Sequence, residues 1–135
     1  LPAGGRLGGH IVGGHVDGVG RVAHKRPLGD AVELTFATPP ALERYLAEKG
    51  SIAVNGVSLT VNSVARGAFT VVLIPATQAV TGLHTLAVGA EVNLEADVLA
   101  RYVARLLEVG AVRVPEASEG GDAGWLERLS RAGYV

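Results

Sequence analysis

Ser58 and Thr60 stand two residues apart in the run Gly56-Val57-Ser58-Leu59-Thr60-Val61. Positions i and i+2 of a β-strand share a face. An extended run here therefore sets two hydroxyls side by side and turns Leu59 and Val61 the other way. Two neighbouring hydroxyls can fix a polar heterocycle; they can also bond across a sheet to a neighbouring strand. A nucleophilic Ser58 is the poorer reading, because the strained Gly-x-Ser-x-Gly elbow is missing. His15 lies in a Gly-rich stretch and is either functional or a hydrogen-bonding residue of the fold. His10 and His15 are five apart and face opposite sides of a regular strand, unless a bulge at Gly13-Gly14 realigns them. Without cysteine or a flanking carboxylate pair they make a poor zinc site. Asp97 immediately precedes a helical period, the place of an N-cap; a carboxylate fixed in that way remains available for chemistry. Lys49 ends a second helical stretch, where the macrodipole favours a cation, and it can also reach a ligand across Gly50. Gly18, Gly20 and Ala23 match a dinucleotide fingerprint, but that motif must open a helix, and here it runs through a strand pattern into Pro27.

The elements that must hold these side chains are short and mostly extended. His10 to His24 reads as one long bent strand, with a turn at Lys25 to Gly29 and a half-buried strand over Ala31 to Ala37. Pro39-Pro40 opens a helix whose apolar side is Leu42, Tyr45 and Leu46 and which Gly50 closes. Ser51–Val54 and Val57–Val64 form a hairpin at Asn55-Gly56, the pair that best tolerates positive φ at both turn centres. Phe69–Ile74 is a further strand stopped by Pro75. Gln78 to Leu83 is an irregular or helical connection, and Glu91–Leu94 is the last strand. From Val98 the period is helical, with Leu99, Tyr102, Val103 and Leu106 on one side, until Gly110. A polar linker over Glu116 to Gly124 and a short amphipathic turn at Trp125, Leu126 and Leu129 end the chain. Six short antiparallel strands leave open edges unless they close into a barrel.

The 135 residues suggest one domain with a tail, large enough to need no staple. Aromatics are 4% against 48% hydrophobic residues overall, so the core must rest on Val, Leu, Ile and Ala. A net charge of -1 with no basic block gives no footprint for nucleic acid. The absence of cysteine removes thiolate chemistry and accords with a cytoplasmic setting. No apolar run reaches membrane-spanning length. The first residue is Leu1, which suggests a fragment or a processed chain.

Four runs in order carry a resemblance. They are Gly8-Gly9-His10-Ile11-Val12-Gly13-Gly14-His15-Val16-Asp17-Gly18, Lys49-Gly50-Ser51-Ile52-Ala53-Val54-Asn55-Gly56-Val57-Ser58-Leu59-Thr60-Val61, Leu73-Ile74-Pro75-Ala76-Thr77 and Val88-Gly89-Ala90-Glu91-Val92-Asn93-Leu94-Glu95-Ala96-Asp97. Together they resemble the C-terminal half of riboflavin synthase, from about Leu7 to Leu107. The resemblance implies an all-β fold: a six-stranded antiparallel Greek-key barrel with one inserted helix and a C-terminal helix. On that reading residues 1–97 are a lumazine-binding barrel, 98–110 an oligomerisation helix and 111–135 a tail. It implies a homotrimer and a site shared with the N-terminal barrel of a neighbouring subunit. The implied reaction converts two 6,7-dimethyl-8-ribityllumazines into riboflavin and 5-amino-6-ribitylaminouracil by passing a four-carbon unit, with no metal or redox cofactor.

By the same resemblance Gly14, His15, Val16, Lys49, Gly50, Ser58, Leu59, Thr60 and the run Leu73, Ile74, Pro75, Ala76, Thr77 and Gln78 line the lumazine pocket. Ser58 and Thr60 would bind ring carbonyls where anionic charge develops, with His15 and Asp97 as proton-transfer groups. Ala76 stands where the family usually has glutamate, Gly13 where glutamine is frequent and Asn55 where aspartate is common. The family's N-terminal barrel, with its cysteine, has no counterpart in these residues, so an isolated chain is expected to bind ligand and turn over poorly. The rival reading is a non-catalytic lumazine- or flavin-binding module similar to lumazine protein. A flavin-reductase-like barrel would require a nicotinamide domain.

Overall fold

A computed structural model describes residues 8–111 and 130. Six strands, β1 (Gly18–Leu28), β2 (Ala31–Ala37), β3 (Ser51–Val54), β4 (Val57–Ala65), β5 (Ala68–Leu73) and β6 (Glu91–Ala96), close into a barrel in the order β1-β2-β5-β4-β3-β6. Every pairing is antiparallel. β3, β4 and β5 follow one another as hairpins and β6 returns beside β3, which is the Greek-key order. Closure gives each edge a partner and removes the need for a covering layer. Among the described residues, α1 (Pro40–Glu43) and α2 (Pro75–Val80) interrupt the strands and α3 (Val98–Glu108) follows the last of them. The chain divides into two compact units, 1–105 and 106–135. The polar linker and the turn around Trp125 lie outside the described residues. Among those described, no helix is long and apolar enough to cross a membrane.

Alternation decides which side of each strand is core. Leu34 and Phe36 from β2, Ile52 and Val54 from β3, Leu59 and Val61 from β4, Phe69, Val71 and Leu73 from β5, and Val92 and Leu94 from β6 are all buried in one cluster. Leu42 of α1 and Leu83 of a 3-10 turn at Leu83–Thr85 join it. The hairpin turn has φ 48° at Asn55 and 79° at Gly56, the geometry that the pair predicts.

Four local expectations are corrected. The stretch before β1 is no strand: β1 begins at Gly18, and residues 11–17 form no ladder. The amides of Gly13, Gly14 and Asp17 have long-range partners instead. β1 also runs on through Lys25, Arg26 and Pro27, and the turn is Gly29-Asp30, with φ 58° at Gly29. Pro27 is tolerated near the strand end, where one ladder N–H is dispensable. The helix opened by Pro40 stops at Glu43, and three-residue turns follow: Tyr45 N–H bonds Leu42 O, Leu46 N–H bonds Glu43 O, and Gly50 N–H bonds Ala47 O. β4 imposes this early end, because Lys49 N–H donates to Val61 O and Val61 N–H donates to Gly50 O. Finally, α2 starts at Pro75, so the connection after β5 turns helical three residues before Gln78, with extended Ile74 as its N-cap.

Candidate functional site

Ser58 and Thr60 lie on the outward face of β4, alternating with buried Leu59 and Val61. Ser58 is half-buried and Thr60 exposed. β3 stands beside them, pairing Ala53 with Ser58 and Ser51 with Thr60. The same Ala53 pairs with Glu95 of β6 on its other side. Ser58, Ala53 and Glu95 therefore form one row across three strands, spanning two strand spacings or about 10 Å.

The lead-in segment is tied to both ends of this row. His10 bonds Ser58 through its backbone N–H (3.2 Å) and Nδ1 (2.7 Å). The amides of Gly13 and Gly14 donate to the two carboxylate oxygens of Glu95 at 2.7 and 3.1 Å. Ala53, outward-facing between the anchors, is only 1% exposed. Gly14 adopts φ 78° so that both amides can meet one carboxylate. Gly13-Gly14 is thus a carboxylate-binding turn and not a strand bulge.

His15 sits at the Glu95 end. It lines a cavity of about 220 Å³ with Ile11, Gly13, Glu95, Ala96, Val98 and Arg101. Neither Ser58 nor Thr60 is part of that lining. Gly14 and Val16 flank His15 and are exposed. Asp97 lies between the lining residues Ala96 and Val98, and its Oδ1 accepts the Leu99 N–H at 3.0 Å, capping α3. The carboxylate that the resemblance assigns to proton transfer is therefore also the cap.

Behind the cavity, Asp17 accepts the Ala96 N–H at 2.7 Å and pairs with Arg101. Arg101 in turn lies over the Tyr45 ring, 4.9 Å from its centroid. This chain of contacts fixes the start of α3, the end of β6 and the turns after α1 together. Its residues were not among the sequence candidates, and neither was His10 as the partner of Ser58, nor Glu95.

Lys49 is exposed and holds φ 65°, while Gly50 does not enter the left-handed region. The left-handed residue at the end of this stretch is therefore Lys49 and not the closing glycine. Gly50 is required for closeness: a Cβ there would stand 2.9 Å from Ala47 O. Lys49→Gly is expected to raise stability by about 0.5 kcal/mol, the relief of left-handed strain less the entropy that glycine adds to the unfolded chain. Lys49→Val is expected to lower it by about 1–2 kcal/mol, since a β-branched residue tolerates this φ least. Urea titration of both variants checks the pair.

The Leu73–Gln78 run divides. Leu73 is fully buried and Leu59 is 8% exposed, so both side chains serve the barrel interior. Ile74 is 55% exposed, and Pro75 and Ala76 are exposed at the start of α2. Thr77 is half-buried, and its carbonyl accepts the Thr81 hydroxyl at 2.8 Å. Gln78 spends its amide N–H groups on Asp30 O and Leu73 O, both at 2.9 Å. These bonds hold the β1–β2 turn to the end of β5.

The architecture is a closed Greek-key β-barrel with an outward hydroxyl pair and a row beside it strapped by the lead-in segment. Residues 13–97 match the lumazine binding domain, and the chain belongs to that family. It is 49% identical over 104 residues to a riboflavin synthase of Photobacterium phosphoreum, covering 77% of this chain and 48% of that protein. It is 48% identical over 107 residues to the riboflavin synthase of Mycobacterium bovis, covering 77% and 53%. The chain is a riboflavin synthase homologue that spans about half the length of these curated relatives. Among solved structures it is similar to LumP complexed with 6,7-dimethyl-8-(1'-D-ribityl) lumazine (TM-score 0.61, 25% identity, 65% of this chain and 49% of that one). It is also similar to LumP complexed with riboflavin (TM-score 0.64, 25% identity, 70% and 52%).

Proposed function

We propose that this chain presents one wall of a cleft for 6,7-dimethyl-8-ribityllumazine, and that a second barrel supplies the other wall. In the completed cleft two lumazines react: one loses a proton from its C7 methyl, the other accepts a nucleophile at C7, and four carbons pass between them. What one ring loses the other gains, so riboflavin and 5-amino-6-ribitylaminouracil account for all atoms without an oxidant. The observation that carries the reading is the outward pair Ser58 and Thr60 beside the strained Lys49 turn, within the matched segment 13–97. The hydroxyls bind ring carbonyls as charge develops there. His15, at the cavity beside Asp97, is the proton-transfer candidate. Stacking two rings in register contributes by proximity.

The need for a second wall is supported by size. The cavity at His15 holds about 220 Å³, below the roughly 300–1,000 Å³ usual for small-molecule sites. A trimer through α3 belongs to the same proposal. Leu99, Tyr102 and Val103 on that helix are 63%, 66% and 56% exposed, and sedimentation of the purified chain tests it.

Titration of the chain with the lumazine, followed by fluorescence, is expected to show saturable binding. Ser58→Ala and His15→Ala are each expected to weaken it by roughly 0.5–1.5 kcal/mol, about two- to twelvefold. Unchanged affinity in both returns these side chains to purely structural roles. Following riboflavin absorbance in the same mixture tests the second wall: rapid turnover by the chain alone would contradict it. A second reading, a binding module that holds a pteridine without transforming it, is favoured by the likeness to ligand-bound LumP. It predicts no riboflavin formation even when the missing wall is supplied by an N-terminal barrel of riboflavin synthase.

A further inference from the structure

Gly9 passes so close to β4 that a Cβ there would stand 2.3 Å from Ser58 Oγ. His10 follows and directs two nitrogens at the same oxygen, the backbone N–H and Nδ1. A serine hydroxyl has two lone pairs and one proton. The backbone N–H occupies one lone pair. Nδ1 then has two options. Carrying a proton, it donates to the second lone pair and leaves the Ser58 O–H free. Bare, it accepts the Ser58 O–H and leaves the hydroxyl a single lone pair to offer.

The other ring nitrogen distinguishes the options. His10 Nε2 is buried and has no hydrogen-bond partner among the described residues. With Nδ1 bare, the neutral ring carries its proton on Nε2, as a buried donor with no acceptor. With Nδ1 protonated, Nε2 is an unused acceptor. Orphaned buried N–H groups are the rarer of the two in folded proteins, so the protonated Nδ1 is favoured.

We propose that His10 is a positioning residue that makes Ser58 a hydrogen-bond donor. Its backbone N–H and Nδ1–H fill both Oγ lone pairs, and the hydroxyl proton alone is left for a third partner. Ser58 then selects ligands that present an acceptor atom, a ring carbonyl or unprotonated ring nitrogen, and disfavours an amino group or ring N–H at that point. The ligand class rests on the pteridine-cleft reading above; the His10–Ser58 polarity does not.

The test has two arms. Long-range ¹H–¹⁵N correlation spectra of the ligand-free chain report the imidazole tautomer. His10 is expected in the Nδ1–H form, shifting toward Nε2–H in Ser58→Ala; an Nε2–H tautomer in the unmodified chain overturns the proposal. In the second arm, lumazine affinity is measured for His10→Ala and His10→Asn, the latter restoring an N–H donor near the Nδ1 position. His10→Ala is expected to lose about tenfold, and His10→Asn to stay within about threefold of the parent. Placed in the Ser58→Ala background, His10→Ala is expected to cost nothing further. An equal loss in both backgrounds means that His10 does not act through Ser58, and overturns the proposal. If the unmodified chain binds no lumazine, the cleft reading fails, and the tautomer measurement still decides the polarity of the pair.

Discussion

Phe36→Ala is expected to remove about 3–5 kcal/mol of folding stability, against a total of about 5–15 kcal/mol for a domain of this kind. Phe36 and Phe69 are the chain's two phenylalanines, 0% and 1% exposed, and they face each other directly across β2 and β5. Their ring centroids are 5.4 Å apart with planes at 29°. The remaining core is almost wholly aliphatic. Among the described residues no third aromatic ring is buried in that cluster, and a closed barrel cannot narrow without breaking its ladder. The cavity term should therefore be felt nearly in full. Phe36→Leu keeps most of the volume and forfeits the ring pair, which is worth about 0.5–1.5 kcal/mol beyond its area; its expected cost is about 1–2 kcal/mol. Chemical denaturation with unchanged m-values checks both. A cost below about 1 kcal/mol for the alanine variant would mean that the barrel interior collapses around the loss.

What the sequence made legible follows from how far each signal reaches along the chain. The Asn55-Gly56 hairpin, the β5 strand and the α3 helix are set by neighbours within a few residues, and their bounds lie within a residue or two of expectation. The lead-in was misread because its β-branched residues mimic a strand, while its amides are satisfied by side chains 48, 82 and 81 positions away. Periodicity cannot report such partners. The same limit explains α1. Leu42, Tyr45 and Leu46 keep the spacing of one apolar face, yet the demand of Val61 for Lys49 and Gly50 ends the helix after four residues. Within the candidate site the hydroxyl pair was readable from alternation alone. The partner of Ser58 was not, nor were the anchors of the lead-in and of α3, since His10, Glu95 and Asp17 look on sequence like surface polar residues. Leu59 and Leu73, which the resemblance places in the lumazine pocket, have their side chains inside the barrel, as their place in the alternation requires.

Asp17 carries the second large effect. Its side chain is 13% exposed and its two oxygens serve different masters: Oδ2 takes the Ala96 N–H, and Oδ1 pairs with Arg101, which is 41% exposed. Asp17→Ala leaves the amide of a residue only 3% exposed without an acceptor, a loss of about 1–3 kcal/mol. The half-exposed ion pair adds at most about 1 kcal/mol, so the expected total is about 2–4 kcal/mol. Asp17→Asn can keep an acceptor for Ala96 and loses only the charge facing Arg101; its expected cost is about 1 kcal/mol or less. Arg101→Ala should match the asparagine variant plus the lost stack on Tyr45, another 0.5–1 kcal/mol at an exposed site. Urea midpoints of the three variants separate the amide from the charge. Equal losses for alanine and asparagine would place the whole effect in the ion pair. Ala96 and Arg101 also line the cavity at His15. If that cavity is one end of the pteridine wall, lumazine affinity must fall in the same order, alanine before asparagine, while the Ser58 end is unaffected. A stability loss with no loss of affinity would separate the Asp17 anchor from the binding wall and confine the site to β4 and the turn at Lys49.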